Sequence, residues 1–374
     1  DVFDSATSFD SNRNAIVMNK GKFGIIKDNG QHAVPLQYDL IENYNSYGNL
    51  NPQFYSFEKG EVQGLLNKNL KKIAETKKSL YAGAFSIQHN YISFENFKGK
   101  NGLIDEEGNE KIPFVYDEPL YFDVKEYSIA NKNNRFGIID VHNVELVPIV
   151  YQVLKPVFDQ WDEKPKGSPN YFVAKSANAS KIVDINNKTI LAGYESIEPI
   201  FNDHFKFIVQ KNKKFGIIDL TNKIILPLEY DQISNWTEYG PRQSKFIVKK
   251  RKTGLIDHES FKVKIPPIYD KFIYLNGLIF AKRNGKAGII NEDGKVLCDF
   301  TYDEIYPNTS DFYGYTKKKP RIYARKGNSY FQIDVKGKVL KSGLSKETVI
   351  ENSQGPVVIN NQVEEPVPPR KPVK

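Results

Sequence analysis

Residues 207–219 read Phe-Ile-Val-Gln-Lys-Asn-Lys-Lys-Phe-Gly-Ile-Ile-Asp, and this stretch sets the pattern of the whole chain. Residues 207–209 are aromatic and β-branched, as strands prefer, and a polar turn separates them from a second apolar run at 216–219. Residues 224–227, Ile-Ile-Leu-Pro, follow as a third strand, and 230–233, Tyr-Asp-Gln-Ile, as a fourth. Proline cannot donate to a ladder, so it belongs at a strand end or a sheet edge. The segment therefore predicts one small antiparallel sheet of three or four strands.

The second strand of this segment recurs along the chain at intervals of 34 to 44 residues. Its marker positions are 24, 64, 102, 137, 181, 216, 254, 288 and 331. Such a period is typical of repeat proteins, in which each unit buries its core only against its neighbours. We therefore predict an all-β fold, a tandem array of about nine small antiparallel sheets of three to four strands, packed like propeller blades. A closed ring and an open superhelix both remain compatible with the sequence.

Residues that recur in every unit are expected to be structural. The repeated glycine lets a neighbouring sheet or aromatic ring approach the strand backbone closely. The repeated tyrosine buries its ring between sheets. The repeated aspartates, in Gly-Ile-Ile-Asp and in Tyr-Asp, are expected to accept backbone N–H bonds in the turns that follow. Calcium loops gather several oxygens within about a dozen residues, and these carboxylates are spread more widely than that.

The pattern x-Gly-Ile-Ile-Asp, a turn, and then Val/Ile-Pro-x-x-Tyr-Asp-x-Ile resembles the WG-containing β-repeat family of bacterial proteins. The resemblance covers residues from about 12 to 341. The chain departs from it at the tryptophan before glycine, which is replaced in every copy. The replacing residues include Phe23, Gln63, Asn101, Phe136, Phe215, Thr253 and Ala287. The resemblance implies a divergent member, a non-catalytic scaffold that binds other proteins, often exported and associated with the periplasm or outer membrane. A cytoplasmic location stays open.

Composition and motifs favour a protein without catalysis, cofactor or metal. The net charge of +8 is carried largely by hairpin turns such as residues 249–252, which favours solvated turns over a nucleic-acid surface. Cys298 is the single cysteine, so no intrachain disulfide can form. No nucleophile elbow, phosphate-binding loop or membrane-length apolar run occurs. The histidines stand singly, without zinc-ligand spacing, at His32, His89, His142, His204 and His258.

Insertions that interrupt the period carry the residues we expect to bind. Insertions at one point of a repeat emerge on one face of the array, and loop aromatics suit protein or glycan contacts. The candidate loop face consists of Tyr47, Trp161, Trp236, Tyr239, Phe312, Tyr313 and Tyr315. The alternative interpretations are that these rings cap the sheets beneath them, or that they form a carbohydrate or cell-wall site.

Three regions follow from these patterns. Residues 1–11 are predicted as an N-terminal extension, 12–344 as the repeat domain, and 345–374 as an extended, proline-rich tail. The tail carries a candidate docking segment that either adds a strand to a partner or lies on it as polyproline II. That segment is Pro356, Val357, Val358 and Ile359.

Overall fold

The protein is almost entirely β-strand. A computed structural model describes residues 2–44, 53–78, 85–88, 91–122, 126–157, 170–200, 205–237, 244–257, 259–313 and 320–353. These residues contain nine antiparallel sheets, one with three strands and the others with four, and each sheet takes its strands in chain order. The predicted array of small sheets is confirmed. The chain divides into two compact units, unit 1 (Asp1–Val157 and Pro169–Ala192) and unit 2 (Phe158–Ser168 and Gly193–Lys374).

Unit 1 contains sheets 1 to 4 and most of sheet 5. The strands of sheets 1 and 2 are β1 Ser5–Ala6, β2 Asn14–Asn19, β3 Lys22–Lys27, β4 His32–Tyr38, β5 Leu40–Tyr44, β6 Phe54–Lys59, β7 Val62–Asn67 and β8 Lys72–Lys77. Those of sheets 3 and 4 are β9 Phe85–Gln88, β10 Tyr91–Glu95, β11 Asn101–Asp105, β12 Glu110–Tyr116, β13 Tyr127–Lys132, β14 Arg135–Asp140 and β15 Glu145–Tyr151. Sheet 5 consists of β16 Val153–Pro156, β17 Tyr171–Lys175, β18 Ser180–Asp184 and β19 Thr189–Tyr194.

Unit 2 contains sheets 6 to 9 and two helices. Sheets 6 and 7 are β20 Ser196–Pro199, β21 Lys206–Lys211, β22 Lys214–Asp219, β23 Ile224–Tyr230, β24 Gln232–Thr237, β25 Ser244–Lys250, β26 Lys252–Ile256 and β27 Val263–Tyr269. Sheets 8 and 9 are β28 Lys271–Leu275, β29 Leu278–Arg283, β30 Lys286–Asn291, β31 Val296–Tyr302, β32 Glu304–Pro307, β33 Ile322–Lys326, β34 Ser329–Ile333 and β35 Val339–Leu344. The helices are α1 Ser310–Tyr313 and α2 Lys346–Ser353.

The boundary between sheets lies one strand earlier than the sequence predicts. Residues 230–233 do not form a fourth strand, because Tyr230 ends β23 and Gln232 begins β24 of the next sheet. The aspartate after the tyrosine already bonds to that next sheet. At the corresponding place in sheet 8, the Asp270 N–H donates to the Lys282 carbonyl at 2.8 Å. Each Tyr-Asp pair therefore marks the junction where the chain leaves one sheet and starts another.

Within each of the two units, the core lies between consecutive sheets. On β26, Ile256 packs with Ile217 and Leu226 of sheet 6, whereas its neighbour Leu255 packs with Ile279 and Ile290 of sheet 8. Successive strand residues point to opposite faces, so adjacent residues serve different interfaces. Comparable clusters join the consecutive sheets within unit 1. This mutual burial explains why single sheets need their neighbours.

The repeated glycine is required by the outer strand of its own sheet. Between Phe215 and Ile217 the register to β23 shifts, so that extra residues of the outer strand bulge over Gly216. A Cβ on Gly216 would lie 2.7 Å from the Leu226 carbonyl oxygen. The close approach that the sequence predicts is confirmed: at Gly216 the approaching group is the bulged backbone, and at Gly64 it is the ring of Phe57. The predicted edge position of proline is confirmed, because Pro227 lies in this outer strand.

The aspartate of each Tyr-Asp pair links two sheets. One carboxylate oxygen pairs with a lysine at the start of the third strand of its own sheet, or directly before it in the case of Lys100. The other oxygen accepts a backbone N–H from the hairpin of the next sheet. The sets in the described residues, given as lysine, aspartate and N–H donor, are Lys22, Asp39, Gly60; Lys100, Asp117, Asn134; Lys214, Asp231, Arg251; Lys252, Asp270, Asn284; and Lys286, Asp303, Gly327.

Ordered segments extend past both predicted ends of the repeat domain. In the N-terminal extension, β1 pairs with β2. The Asp10 carboxylate accepts a hydrogen bond from the fully buried Tyr55 hydroxyl of sheet 2. Within the stretch predicted as an extended tail, Lys346–Ser353 form helix α2, whose Val349 is buried. Residues 354–374 lie outside the described residues.

Candidate functional site

Four outer strands of unit 2 begin with an exposed aliphatic residue directly after a lysine. We name this set the lysine–aliphatic row; it consists of Lys223-Ile224, Lys262-Val263, Lys295-Val296 and Lys338-Val339. The four pairs lie on consecutive sheets, each at the start of the strand that forms the free edge of its sheet. The same two side chains are therefore presented four times in succession.

The turn before each outer strand fixes the backbone of the lysine. In sheet 6 the Asp219 carboxylate accepts the backbone N–H groups of Thr221 and Lys223 at 2.9 and 3.0 Å. Asn222, with φ of 69°, supplies the left-handed residue that such a three-residue hairpin loop needs. Equivalent bonds hold Lys295 through Asn291 and Lys338 through Asp334; Lys262 follows a longer turn. The predicted role of the Gly-Ile-Ile-Asp aspartate as a turn acceptor is confirmed.

Strand register identifies the equivalent positions in both units. Ile224 is directly opposite Ile218, and the other three aliphatic residues of the row are opposite the corresponding isoleucine of their own sheets. The row side chains are 57, 44, 43 and 45% exposed in chain order. The residues at the same register in sheets 1 to 4 of unit 1 are polar: His32, Lys72, Glu110 and Glu145. The exposed aliphatic residue is therefore not a requirement of the repeat.

The row combines apolar surface with positive charge. The described residues form no salt bridge to Lys223, Lys262, Lys295 or Lys338. The hydrogen bond from the Thr221 side chain, together with backbone N–H groups, lowers the pKa of Asp219, which therefore stays ionised as the turn acceptor. Asp293 pairs with Lys264 at 3.1 Å. The Lys223 charge also interacts with the Asp219 carboxylate, and the four lysines together bring positive charge to the row.

This arrangement can hold a partner surface. Half-exposed aliphatic side chains still have apolar area to bury, worth about 1 kcal/mol each. Lysines around them steer an acidic partner and discriminate against a basic one.

The described residues contain no group of three or more His, Cys, Asp or Glu that could hold a metal ion. Neither of the helices in the described part of the chain has the length and hydropathy to cross a membrane.

Few of the predicted site residues can be placed. Phe312 lies in α1, and its ring meets that of Phe280 edge-on at 5.7 Å between centroids. Trp236 belongs to β24 and Tyr313 to α1, but their side chains are outside the described part of the structure. The remaining loop candidates, Tyr47, Trp161, Tyr239 and Tyr315, and the tail segment Pro356, Val357, Val358 and Ile359 lie outside the described residues altogether. The structure therefore does not assemble these residues into one face.

Sequence reasoning did not find the row, although the signal was present. Aligning the repeats on the aspartate or asparagine at the end of the third strand shows a lysine followed by Ile or Val in the last four copies. This alignment becomes meaningful only when strand register shows that the aliphatic residue lies at an exposed sheet edge.

Comparison with known proteins finds one family whose description matches four segments of the chain. The family described as "WG containing repeat" matches residues 102–136, 215–252, 254–286 and 288–319. No curated protein sequence matches the chain. Among solved structures, a eukaryotic initiation factor is 12% identical over 86% of this chain and 93% of its own, with a TM-score of 0.29.

Two further structures show similarly weak likeness. Saccharomyces cerevisiae Sqt1 is 11% identical over 73% of this chain and 90% of its own, with a TM-score of 0.27. PorZ of Porphyromonas gingivalis, a bacterial surface component of a type-IX secretion system, is 10% identical over 93% of this chain and 52% of its own, with a TM-score of 0.24. TM-scores this low carry no functional argument.

Proposed function

We propose that the chain is a non-catalytic scaffold that binds another protein through the lysine–aliphatic row. Four of its segments match the family described as "WG containing repeat". The carrying observation is the fourfold presentation of an exposed aliphatic residue beside a lysine in consecutive sheets of unit 2. The partner we expect is a protein segment with apolar side chains flanked by aspartate or glutamate.

Comparison between the units supports this proposal. A solvated sheet edge is normally kept polar, because exposed apolar edges invite aggregation. The register position taken by Val263 and Val296 in unit 2 carries Glu110 and Glu145 in unit 1. Retaining aliphatic residues at four successive edges therefore needs a compensating use, and burial under a partner supplies one. The flanking lysines explain how the edge remains soluble without that partner.

Matched charge reversals test the proposal. The double variant Lys262→Glu/Lys295→Glu changes the row, whereas Lys71→Glu/Lys188→Glu makes the same change at equivalent turn positions of unit 1. Proteins captured from native cell extract by each variant are compared by quantitative mass spectrometry. We expect a partner of the wild-type chain to be lost with the first variant and kept with the second. Equal loss, or equal retention, with both variants contradicts the assignment of the row.

Site-directed photo-crosslinking tests direct contact. A benzoylphenylalanine placed at Val263 probes the row, and one placed at Glu110 probes the same register position in unit 1. Illumination of living cells is expected to give a discrete adduct from Val263 and none from Glu110. Adducts of the same mass and yield from both positions would mean that contact does not depend on the row.

The setting we propose is an assembly of the bacterial cell envelope, with the protein exported to the periplasm or associated with the outer membrane. The support is the family resemblance described above. Fractionation of the native cells, with antibody detection of the untagged protein, tests it. Recovery of the protein in the cytoplasmic fraction alone contradicts this location without affecting the protein-binding proposal.

Carbohydrate binding through the loop aromatics is the alternative function. It rests on Trp161, which lies in an insertion of the repeat, and on Trp236, which the structure assigns to strand β24 instead of an insertion. A glycan array probed with the wild-type chain and with Trp236→Ala separates the two functions. A glycan signal lost in that variant, but unchanged in Lys262→Glu/Lys295→Glu, would favour the carbohydrate function.

A further inference from the structure

A pocket opens between sheets 8 and 9 of unit 2, on strands away from the lysine–aliphatic row. Its volume is about 410 Å³, within the range of pockets that hold small molecules. Strands β28, β29 and β30 form one wall, and β32 with the residue Arg325 of β33 forms the other. The apolar surface comes mainly from Ile273, Phe280, Ala287 and Ile305.

The polar side of the pocket carries an excess of positive charge. Lys271, Lys282 and Arg325 line it together with a single carboxylate, that of Glu304. Glu304 pairs with Lys282 and lies 3.7 Å from the Lys271 ammonium nitrogen. Arg325 lies 3.6 Å from Asp303, whose other oxygen already pairs with Lys286. The positive charge of the two lysines and the arginine therefore exceeds the negative charge of the single carboxylate in the lining.

The lysine pair is unlike its counterparts in the other sheets. Lys271 and Lys282 are directly opposite each other on neighbouring strands, where like charges are unfavourable. The corresponding pairs elsewhere combine a charge with a neutral residue, two polar residues or opposite charges: Leu40 and Glu58, Val153 and Lys175, Ser196 and Gln210, Gln232 and Lys249, and Glu304 and Arg325. The repeat fold therefore does not require two cations at this place.

We propose that this pocket binds a small amphipathic anion, a molecule with an apolar body and one carboxylate, sulfonate or phosphate group. The body lies against Phe280, Ala287 and Ile305, and the anionic group faces the lysines and Arg325. Lys271 is the cation best able to turn towards the ligand, because its side chain is 65% exposed and only loosely held by Glu304. This site is independent of the proposed protein contact, which uses the outer strands.

A pair of fluorescent probes tests the proposal. The anion 1-anilinonaphthalene-8-sulfonate carries an apolar ring system and a sulfonate, and N-phenyl-1-naphthylamine has the same rings without the charge. We expect the anionic probe to bind the full chain at one saturable site and the neutral probe to bind at least fivefold more weakly. Equal affinity for the two probes would overturn the proposal, because the charge would then play no part.

Three variants locate the binding. Lys271→Gln is expected to weaken the anionic probe about fivefold, the worth of one exposed ion pair, while leaving the neutral probe unchanged. Ala287→Leu fills the pocket and is expected to abolish binding of both probes. Lys175→Gln removes a charge at the sheet 5 position equivalent to Lys282 and is expected to change neither. Anionic-probe binding that survives unchanged in Lys271→Gln overturns the proposal even where Ala287→Leu fails to fold.

Discussion

The Asp117 carboxylate accepts the backbone N–H of Asn134 at 3.1 Å, and this bond joins sheet 3 to the β13–β14 hairpin of sheet 4. The same carboxylate pairs with Lys100 of its own sheet. Asn134 adopts a left-handed backbone with φ of 55°, so its N–H faces the preceding sheet. Since equivalent aspartates join other pairs of sheets, this link is a recurrent element of the array.

Removing the link lowers stability modestly. We expect Asp117→Ala to reduce the free energy of unfolding by less than about 1 kcal/mol, because the Asp117 side chain is only partly buried and its ion pair with the exposed Lys100 is screened by solvent. Urea denaturation followed by circular dichroism measures the change. Asp28→Ala, which removes an exposed ion pair with Arg13 but no sheet link, is the control. A larger effect at Asp28 than at Asp117 would contradict the linking role.

Stability is expected to fall at low pH through these aspartates. Burial raises the pKa of Asp117, but the bonds from Lys100 and Asn134 outweigh it and lower the pKa below its usual 3.8. Hydrogen bonds from lysine and backbone groups also lower the pKa of Asp39, Asp231 and Asp303. A lowered pKa in the folded state contributes stability above pH 4, and this stability is lost as pH falls through the folded-state values.

Thermal melts between pH 7 and pH 2 test this dependence. The melting temperature of the wild-type chain is expected to decrease steadily below about pH 4. The decrease should be smaller in Asp117→Asn, which removes one titrating group without changing its size. A steeper acid dependence in that variant than in the wild type would contradict the assignment.

The repeated glycine should tolerate no side chain where the outer strand bulges over it. Gly216→Ala places a Cβ 2.7 Å from the Leu226 carbonyl oxygen, and relief requires the bulge to move. We expect a loss of about 1 to 3 kcal/mol in the free energy of unfolding. Lys181→Ala changes the same repeat position in sheet 5 and is expected to cost less than about 1 kcal/mol. Similar losses in both would contradict the bulge explanation.

We expect the hydroxyl of Tyr55 to contribute measurably to the free energy of unfolding. It accepts a 2.8 Å bond from the Asn14 amide and donates to Asp10. Burial, followed by Asp10, raises the pKa of Tyr55 to about 12, so the neutral form is favoured and its contribution persists below pH 10. Tyr55→Phe leaves these groups without their partner and should cost about 1 to 2 kcal/mol in urea unfolding. Tyr121→Phe, at an exposed ring, should cost almost nothing.

Cys298 should react only when the structure opens. It is buried between sheets 8 and 9, and burial, followed by Asp299, raises the pKa of its thiol to about 11. Because the thiolate is the reactive form, labelling by a disulfide reagent at pH 8 should be at least about 100-fold slower than in urea. Ser176→Cys in a Cys298→Ser background provides an exposed thiol for comparison. Equal labelling rates for Cys298 in the folded wild type and for the introduced thiol in the folded variant would contradict the burial of Cys298.

Local patterns in the sequence predicted much of the fold. The Gly-Ile-Ile-Asp copies located the third strands, because alternation and turn chemistry act within a few residues. The turn role of Asp219 followed from the same local chemistry. The boundary between sheets could not be predicted in this way. Whether the residues after Tyr230 pair with their own sheet or with the next one depends on which hairpin lies beside them. The boundary is set by the hydrogen bond from the aspartate backbone N–H to the next sheet. A single repeat, taken by itself, does not contain the partner of this bond.

The chain's sequence by itself determined the repeat, the order of the strands within each repeat and the positions where only glycine fits. These features depend on interactions between residues that are close along the chain. Tertiary structure alone decided that lysine and aliphatic residues form a row on four sheet edges, and that Lys271 and Lys282 meet Glu304 across a pocket. Those arrangements depend on register and on the stacking of one sheet upon the next, which bring together residues that no local pattern connects.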